Sequence, residues 1–171
     1  MKISGRNIGR RLYGLGTLPS RLKRARYFRG HGVHSPYVYD IVRKVFMKSK
    51  LQTADTALYD KLRDMGISRR RAIQLQNLLA HCGYETFGID CAHERVDMLV
   101  ASLDTAPDML HRLAVAAEQS RSTLCIMSPY FSAERHRACQ QIADAHPSTS
   151  VDNRGYLLLF NNHLPRQRFK L

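Results

Sequence analysis

The chain has 171 residues and a mass of 19.6 kDa, which suits one domain or a small domain with an appendage. Hydrophobic residues make up 44% of it and charged residues 24%, as in a protein that buries a core. No apolar run approaches the roughly 18 residues that span a bilayer, and no apolar stretch follows the basic N-terminal residues as in a signal peptide. We therefore expect a cytoplasmic protein without a membrane span, and not a disulfide-stapled secreted miniprotein.

The positive charge is concentrated in the first third of the chain. Of 27 basic and 14 acidic residues in all, residues 1–50 hold 13 basic residues and one acid, Asp40. This asymmetry predicts an N-terminal segment that binds nucleic acid or another polyanion, or that packs on an acidic surface of a partner. Within it, Arg24, Arg26 and Arg29 are the candidate anion-binding residues. A solvated basic face with no specific partner is the open alternative.

The four cysteines are Cys82, Cys91, Cys125 and Cys139, and no two of them have a C-x-x-C spacing. They are expected to be reduced and mostly buried thiols. A zinc site formed by Cys82, Cys91 and His93 would fit none of the usual ligand spacings. We therefore expect no metal.

The N-terminal part of the chain divides into a basic arm and the start of a folded domain. Residues 1–34 are rich in glycine and lack an apolar period, which predicts a flexible arm before a domain that covers residues 35–171. Ser35 followed by Pro36 is typical of a helix start. A helix is predicted from there to about Lys48, with its apolar positions at Val38, Ile41, Val42, Val45 and Phe46.

The remaining residues alternate between helical patterns and short apolar strands. Helices are predicted over 57–65, 69–81, 93–103, 107–119 and 133–145, with Ser68 and Ser132 as N-caps and Gly83 ending the second. Strands are predicted over 85–89, 122–127, 149–151, 156–160 and 169–171, with a hairpin turn at 152–155. The order predicts an α/β sheet with two parallel crossovers and an antiparallel edge.

Two blocks of sequence carry a resemblance to a known family. The first is RYFRGHGVHSPYVYDIV, residues 26–42; the second comprises FGIDCAH (87–93), LCIMSPYFS (124–132), VDNRGYLLLF (151–160) and PRQRFKL (165–171). Together they resemble class I methyltransferase-like proteins of Bacteroidetes that depend on S-adenosylmethionine (SAM), over about two thirds of the chain. In that family the first block opens the fold, and the others are the fourth strand, the fifth strand and the closing hairpin. The resemblance implies a reduced Rossmann-like half-sheet with flanking helices and an antiparallel C-terminal hairpin.

The chain departs from that family where the cofactor is bound. Class I methyltransferases use a glycine-rich turn after the first strand, where the backbone approaches the ligand closely. No E/D-x-G-x-G-x-G occurs here, and the stretch of about 35 residues between Lys50 and Glu85 is too short for three strand–helix units. Met127 and Ser128 stand where cation-dependent relatives carry an acidic pair. Only Asp90 matches a family acid, and one carboxylate is a poor site for a hard cation.

Few residues are candidates for chemistry. Asp90 and His93 follow a predicted parallel strand and are the candidate catalytic pair, with Asp90, oriented towards His93, as a general base. A helix cap at Asp90 with His93 in the first turn is the alternative. His31, His34 and Tyr37 are candidates for substrate or partner binding, or for buttressing the helix start. The adjacent arginines 69–71 would bind phosphate or lie solvated around a helix start.

Three functional hypotheses remain open. The first is a diverged methyltransferase-like protein that has lost the cofactor motif and acts by binding a partner. No cofactor is expected in that case. In that case the helices at 57–82 cover the open face of the half-sheet, or the chain forms a homodimer. The second is an active methyltransferase whose SAM site is atypical or completed by a second subunit. The third is a nucleic-acid or anionic-surface binder that uses residues 1–50.

Overall fold

The computed structural model describes residues 33–91 and 95–171. Helices in this part of the chain are α1 (Pro36–Ile41), α2 (Ala57–Asp64), α3 (Arg69–His81), α4 (Pro107–Ser120) and α5 (Ala133–Ala145). Strands are β1 (Phe87–Ile89), β2 (Met98–Ala101), β3 (Thr123–Met127), β4 (Ser150–Asp152), β5 (Tyr156–Leu159) and β6 (Arg168–Lys170). In these residues, no helix is long and apolar enough to cross a membrane.

The first helix begins as the sequence predicts and ends differently. The Val38 amide donates to Ser35 Oγ over 3.4 Å, and Pro36 occupies the first turn. After Ile41 the chain continues as a π-helical turn, Val42–Phe46, so the regular helix predicted to about Lys48 is wrong in its second half. The wider turn still directs Val42, Val45 and Phe46 into the core.

The sheet is mixed and has the strand order β1-β2-β3-β5-β4-β6. β1, β2 and β3 are parallel, β5 is antiparallel to β3 and to β4, and β6 pairs with β4 in parallel. The predicted α/β class and the C-terminal hairpin are confirmed. The predicted antiparallel edge is wrong, because the antiparallel strand β5 lies inside the sheet and the edge strand β6 is parallel to its neighbour.

One predicted helix is a strand. Residues 93–103 were expected to be helical, but Met98–Ala101 forms β2, and all four of its side chains are buried. β2 lies between β1 and β3, with Leu99 opposite both Gly88 and Leu124. A short apolar run that is buried on both faces of a sheet has no alternation to distinguish it from a buried helix.

Helices cover both faces of the sheet. On one face α1, its π-helical turn, α2 and α3 pack against the strands, with Leu58, Leu62, Leu75 and Leu78 fully buried. On the other face α4 and α5 pack through Leu110, Leu113 and Ile142. The prediction that helices within residues 57–82 cover an apolar face of the sheet is therefore confirmed.

Candidate functional site

The ends of the three parallel strands place their following loops at one edge of the sheet, called here the carboxyl edge. It comprises Asp90 after β1, residues 102–105 after β2 and Ser128 after β3. The hairpin turn at Arg154 and Gly155 reaches the same edge, since the Ser128 amide donates to the Gly155 carbonyl over 2.8 Å. Open α/β sheets bind ligands at this edge, so it is the first place to look for a site.

Asp90 is held in place by the loop that follows β2. Its Oδ1 accepts hydrogen bonds from the Ser102 amide at 2.8 Å and from Thr105 Oγ1 at 2.5 Å. Its own amide donates to the Val100 carbonyl at 2.9 Å, which extends the β1–β2 ladder by one residue. The backbone of Asp90 has a φ of 56°, a left-handed conformation that Asp tolerates better than most residues. The carboxylate thus joins the ends of β1 and β2.

Arg135 closes the space between the ends of β2 and β3. It lies in the first turn of α5 and is only 3% exposed. Its Nε and Nη2 both donate to the Met127 carbonyl, at 3.1 and 2.9 Å. Nη2 also donates to the Ser102 carbonyl at 2.6 Å, and Nη1 to the Thr105 carbonyl at 2.7 Å. One guanidinium therefore satisfies carbonyl oxygens from both strand ends.

The environment of Arg135 keeps a buried cation at this edge. Burial lowers the pKa of Arg135, while the nearby Cys139, Asp90 and Asp104 act in the opposite direction. An arginine side chain stays protonated even so, because the ordinary pKa of its guanidinium lies far above neutral pH. Carbonyl oxygens solvate the positive charge here without neutralising it.

These residues do not fit the cofactor that the family resemblance implies. SAM carries a net positive charge near neutral pH, because its sulfonium and ammonium groups outweigh its carboxylate, and the buried guanidinium among the described residues of the carboxyl edge disfavours that charge. The strand order gives a second reason, because the ligand crevice of a doubly wound sheet forms where that order reverses. Among the described strands, those that run in the same direction (β1, β2, β3, β4 and β6) also follow one another in one direction across the sheet, and only the antiparallel hairpin strand β5 turns back.

A second polar cluster lies beside the carboxyl edge, on the α5 side of the sheet. Tyr130 donates from its hydroxyl to Asp152 Oδ2, and its ring stacks on that of His136 with 4.4 Å between centroids. These side chains line a cavity of about 110 Å³ between α5 and the strands β4 and β6. Asp144 and Arg168 form an ion pair at its rim. Apolar side chains, Leu157 and Phe169 among them, form much of the remaining lining, and the polar groups named here already contact one another.

The structure describes only some of the predicted site residues. His93 of the predicted catalytic pair lies outside the described residues, as do His31 and the candidate anion-binding residues Arg24, Arg26 and Arg29. The same is true of nearly all of the predicted arm. His34 is exposed just before α1, and Asp90 lies at the carboxyl edge.

Tyr37 lies away from Asp90, at the opposite edge of the sheet. Its ring packs edge to face against Phe160, with 5.3 Å between centroids, and Phe160 follows β5 where β3 begins. Its hydroxyl lies 3.7 Å from Cys82 Sγ, and burial raises the pKa of Tyr37. Tyr37 and Asp90 are therefore not brought into one site.

The cysteines form no disulfide among the four, and Cys125 and Cys139 are buried. Burial raises the pKa of Cys139 to about 11, against the influence of Arg135, so its thiol stays protonated near neutral pH. Within residues 33–91 and 95–171, no group of three histidine, cysteine or acidic side chains is arranged to hold a metal.

Comparison of the chain with family models, with curated proteins and with solved structures finds no match.

Sequence reasoning missed Arg135, although the sequence holds a signal for it. The buried stripe of α5 comprises Ala138, Cys139 and Ile142, and Arg135 precedes it by three, four and seven residues. It therefore occupies a core position of the helical period. A lone arginine on an apolar stripe is rarely buried without partners, which indicates a structural cation.

Proposed function

We propose that this chain is a diverged methyltransferase-like protein that transfers no methyl group and acts by binding a partner. The resemblance at residues 26–42 and in the C-terminal blocks supports an origin from methyltransferase-like proteins. The capped helix α1 and the β4–β5 hairpin are consistent with it, because they fold at the places where the resemblance implies an opening helix and a closing hairpin.

The closure of the carboxyl edge by Arg135 is the observation that carries the proposal. The guanidinium joins the Ser102, Thr105 and Met127 carbonyls, so the loops after β2 and β3 are tied together where a substrate would enter. Opening this edge would leave buried carbonyl groups without donors, at a cost of about 1–3 kcal/mol each. A rigid, closed edge favours a binding role over turnover.

Asp90 supports the same conclusion. For Asp90 to act as a general base, its carboxylate would have to reach a substrate proton. Here Oδ1 is engaged by Ser102 and Thr105, and the residue holds a left-handed backbone that fixes its direction. The role is that of a structural anchor between two strand ends.

Titration calorimetry of the chain with SAM tests the proposal. We expect no saturable heat at ligand concentrations of up to about 1 mM, which corresponds to less than about 4 kcal/mol of binding free energy. An Asp90→Asn variant serves as a matched control, since it keeps the shape of the side chain and removes its charge. A micromolar dissociation constant for the parent would refute the loss of the cofactor site, and methyl transfer that an Asp90→Ala variant abolishes would establish the active methyltransferase instead.

A further inference from the structure

Basic side chains are carried by three segments that meet at α3, the start of which contacts the hairpin turn at the carboxyl edge. They are Lys48 and Lys50 after the π-helical turn, Arg69, Arg70 and Arg71 at the start of α3, and Arg154 in the hairpin turn. These six residues are called here the cationic surface. All are exposed except Arg71, which is partly buried.

Hydrogen bonds fix the segment with the lysines against α3. Gln74 Nε2 donates to the Phe46 carbonyl at 2.8 Å, and Asn77 Nδ2 donates to the Lys50 carbonyl at 2.9 Å. Both Gln74 and Asn77 are buried side chains of α3. Lys48 and Lys50 therefore extend along the same helix whose first turn carries the three arginines.

The hairpin turn contacts the start of α3, where the three arginines lie. The Arg71 side chain lies directly on Gly155, so closely that a methyl group at Gly155 would overlap its guanidinium. Tyr156 is anchored to the same helix, because its hydroxyl donates to Gln74 Oε1 at 3.1 Å. Arg154 is thus held next to the first turn of α3.

The charge of the described residues is unequally divided along the chain. Residues 33–81, which hold α1, α2 and α3, carry nine basic and four acidic side chains, whereas the described residues from 82 onward carry nine of each. The nine basic and no acidic residues of positions 1–32 directly precede α1 in the sequence. Acidic groups that contact the same elements include Asp152, which accepts from the Arg154 amide, Asp55, which accepts from Gln76 of α3, and Asp40, which pairs with His81 of α3 and with Lys44.

We propose that the cationic surface binds the phosphate backbone of a nucleic acid. This second proposal names the partner that the proposed function requires, and it rests on that function. Four of the six cations are arginines, whose planar guanidinium matches phosphate oxygens in a bidentate geometry. A membrane surface is the less favoured anion, because an interfacial helix needs an apolar face to insert. The apolar faces of α1 and α3 are instead buried against the sheet.

Fluorescence anisotropy of the full chain with a labelled single-stranded RNA tests the proposal. The variant Lys48→Gln/Arg70→Gln removes two charges from the cationic surface. The control Arg112→Gln/Arg137→Gln removes two charges from exposed positions of α4 and α5, on the opposite layer. Both variants have the same net charge, so a difference between them reports position.

We expect the surface variant to bind RNA roughly tenfold more weakly near 0.15 M salt, and its slope of log affinity against log salt to be shallower by about 1.4. The control should change the affinity less than twofold. Equal weakening in both variants would overturn the proposal, and so would unchanged binding in the surface variant. Binding to anionic phosphatidylglycerol vesicles without RNA binding would assign the surface to membranes. Calorimetry with SAM, run on the same samples, tests the absence of cofactor binding separately.

Discussion

Arg135 and Met127 are joined by two hydrogen bonds to a single carbonyl oxygen, from Nε at 3.1 Å and from Nη2 at 2.9 Å. Met127 ends β3 and Arg135 opens α5, so this pair fixes the turn between them. The same guanidinium reaches Ser102 beyond β2. A buried cation solvated by backbone carbonyls is costly to remove, because its partners then stay buried without donors.

Replacing Arg135 by leucine should destabilise the fold by about 3 kcal/mol, since several carbonyl groups lose their donors. Urea unfolding measures the change. Arg137→Leu, two residues further along α5 at an exposed position, is the matched control and should shift the unfolding free energy by less than about 0.5 kcal/mol. Equal effects of the two substitutions would show that Arg135 does not hold the carboxyl edge.

Asp90→Ala should lower the unfolding free energy by about 2 kcal/mol, because it removes an acceptor for Ser102 and Thr105 and places alanine at a positive φ. Asp90→Asn keeps an acceptor oxygen and tolerates the left-handed backbone, so its effect should stay below about 1 kcal/mol. Thermal unfolding of both variants measures the difference in stability between them. An alanine variant as stable as the parent would rule out the anchoring role.

Arg71 and Gly155 should behave as a coupled pair. A methyl group at position 155 would displace the Arg71 side chain, so Gly155→Ala should destabilise the parent by roughly 1 kcal/mol, within the range typical of overpacking. In an Arg71→Ala background the same substitution should be nearly neutral. A double-mutant cycle measures the coupling. Additive effects of the two substitutions would mean that the side chain does not rest on the turn.

His146 should make stability depend on pH. Its side chain is buried, with Nε2 at 3.1 Å from the Phe160 carbonyl. Burial lowers the pKa of His146 below its ordinary 6.5, while the hydrogen bonds to Phe160 and Thr149 oppose the shift. The unfolded state therefore binds a proton first as the pH falls below about 6.5, and stability is lost from there downward.

Replacing His146 by glutamine should flatten this profile between about pH 6.5 and pH 5, as measured by urea unfolding at several pH values. His163→Gln alters an exposed histidine and serves as the control, which should keep the slope of the parent. An unchanged slope in His146→Gln would assign the pH dependence to other groups.

Much of the fold was predictable from local signals. Two helices begin at serines whose side chains accept from the first turn, Ser35 and Ser132, as the sequence predicts. Another ends before Gly83, which has the predicted positive φ. β2 was not predictable, because Met98–Ala101 is buried on both faces and its spacing also suits a helix. Its place between β1 and β3 is decided by tertiary packing.

The candidate site was less predictable than the fold. The sequence correctly predicts Asp90 at a strand end. Its partners, Ser102 and Thr105, lie in the loop after β2, which the sequence instead predicts to be the last turn of a helix and the residues just after it. Residue type alone does not predict a buried Arg135, because most arginines in folded proteins are exposed to solvent. The cationic surface joins residues far apart in sequence, Lys48 and Arg154 among them, which no local pattern relates.

A two-dimensional NMR titration of the isotope-labelled chain with SAM tests the closed carboxyl edge most directly. Ser102, Thr105 and Ser128 lie in the loops that the Arg135 guanidinium joins, so their amide signals would sense a ligand bound there. We predict that their signals stay in place up to about 1 mM SAM, because the guanidinium occupies the space between the strand ends. Saturable shifts confined to these amides would contradict the proposal that the protein has lost its cofactor site.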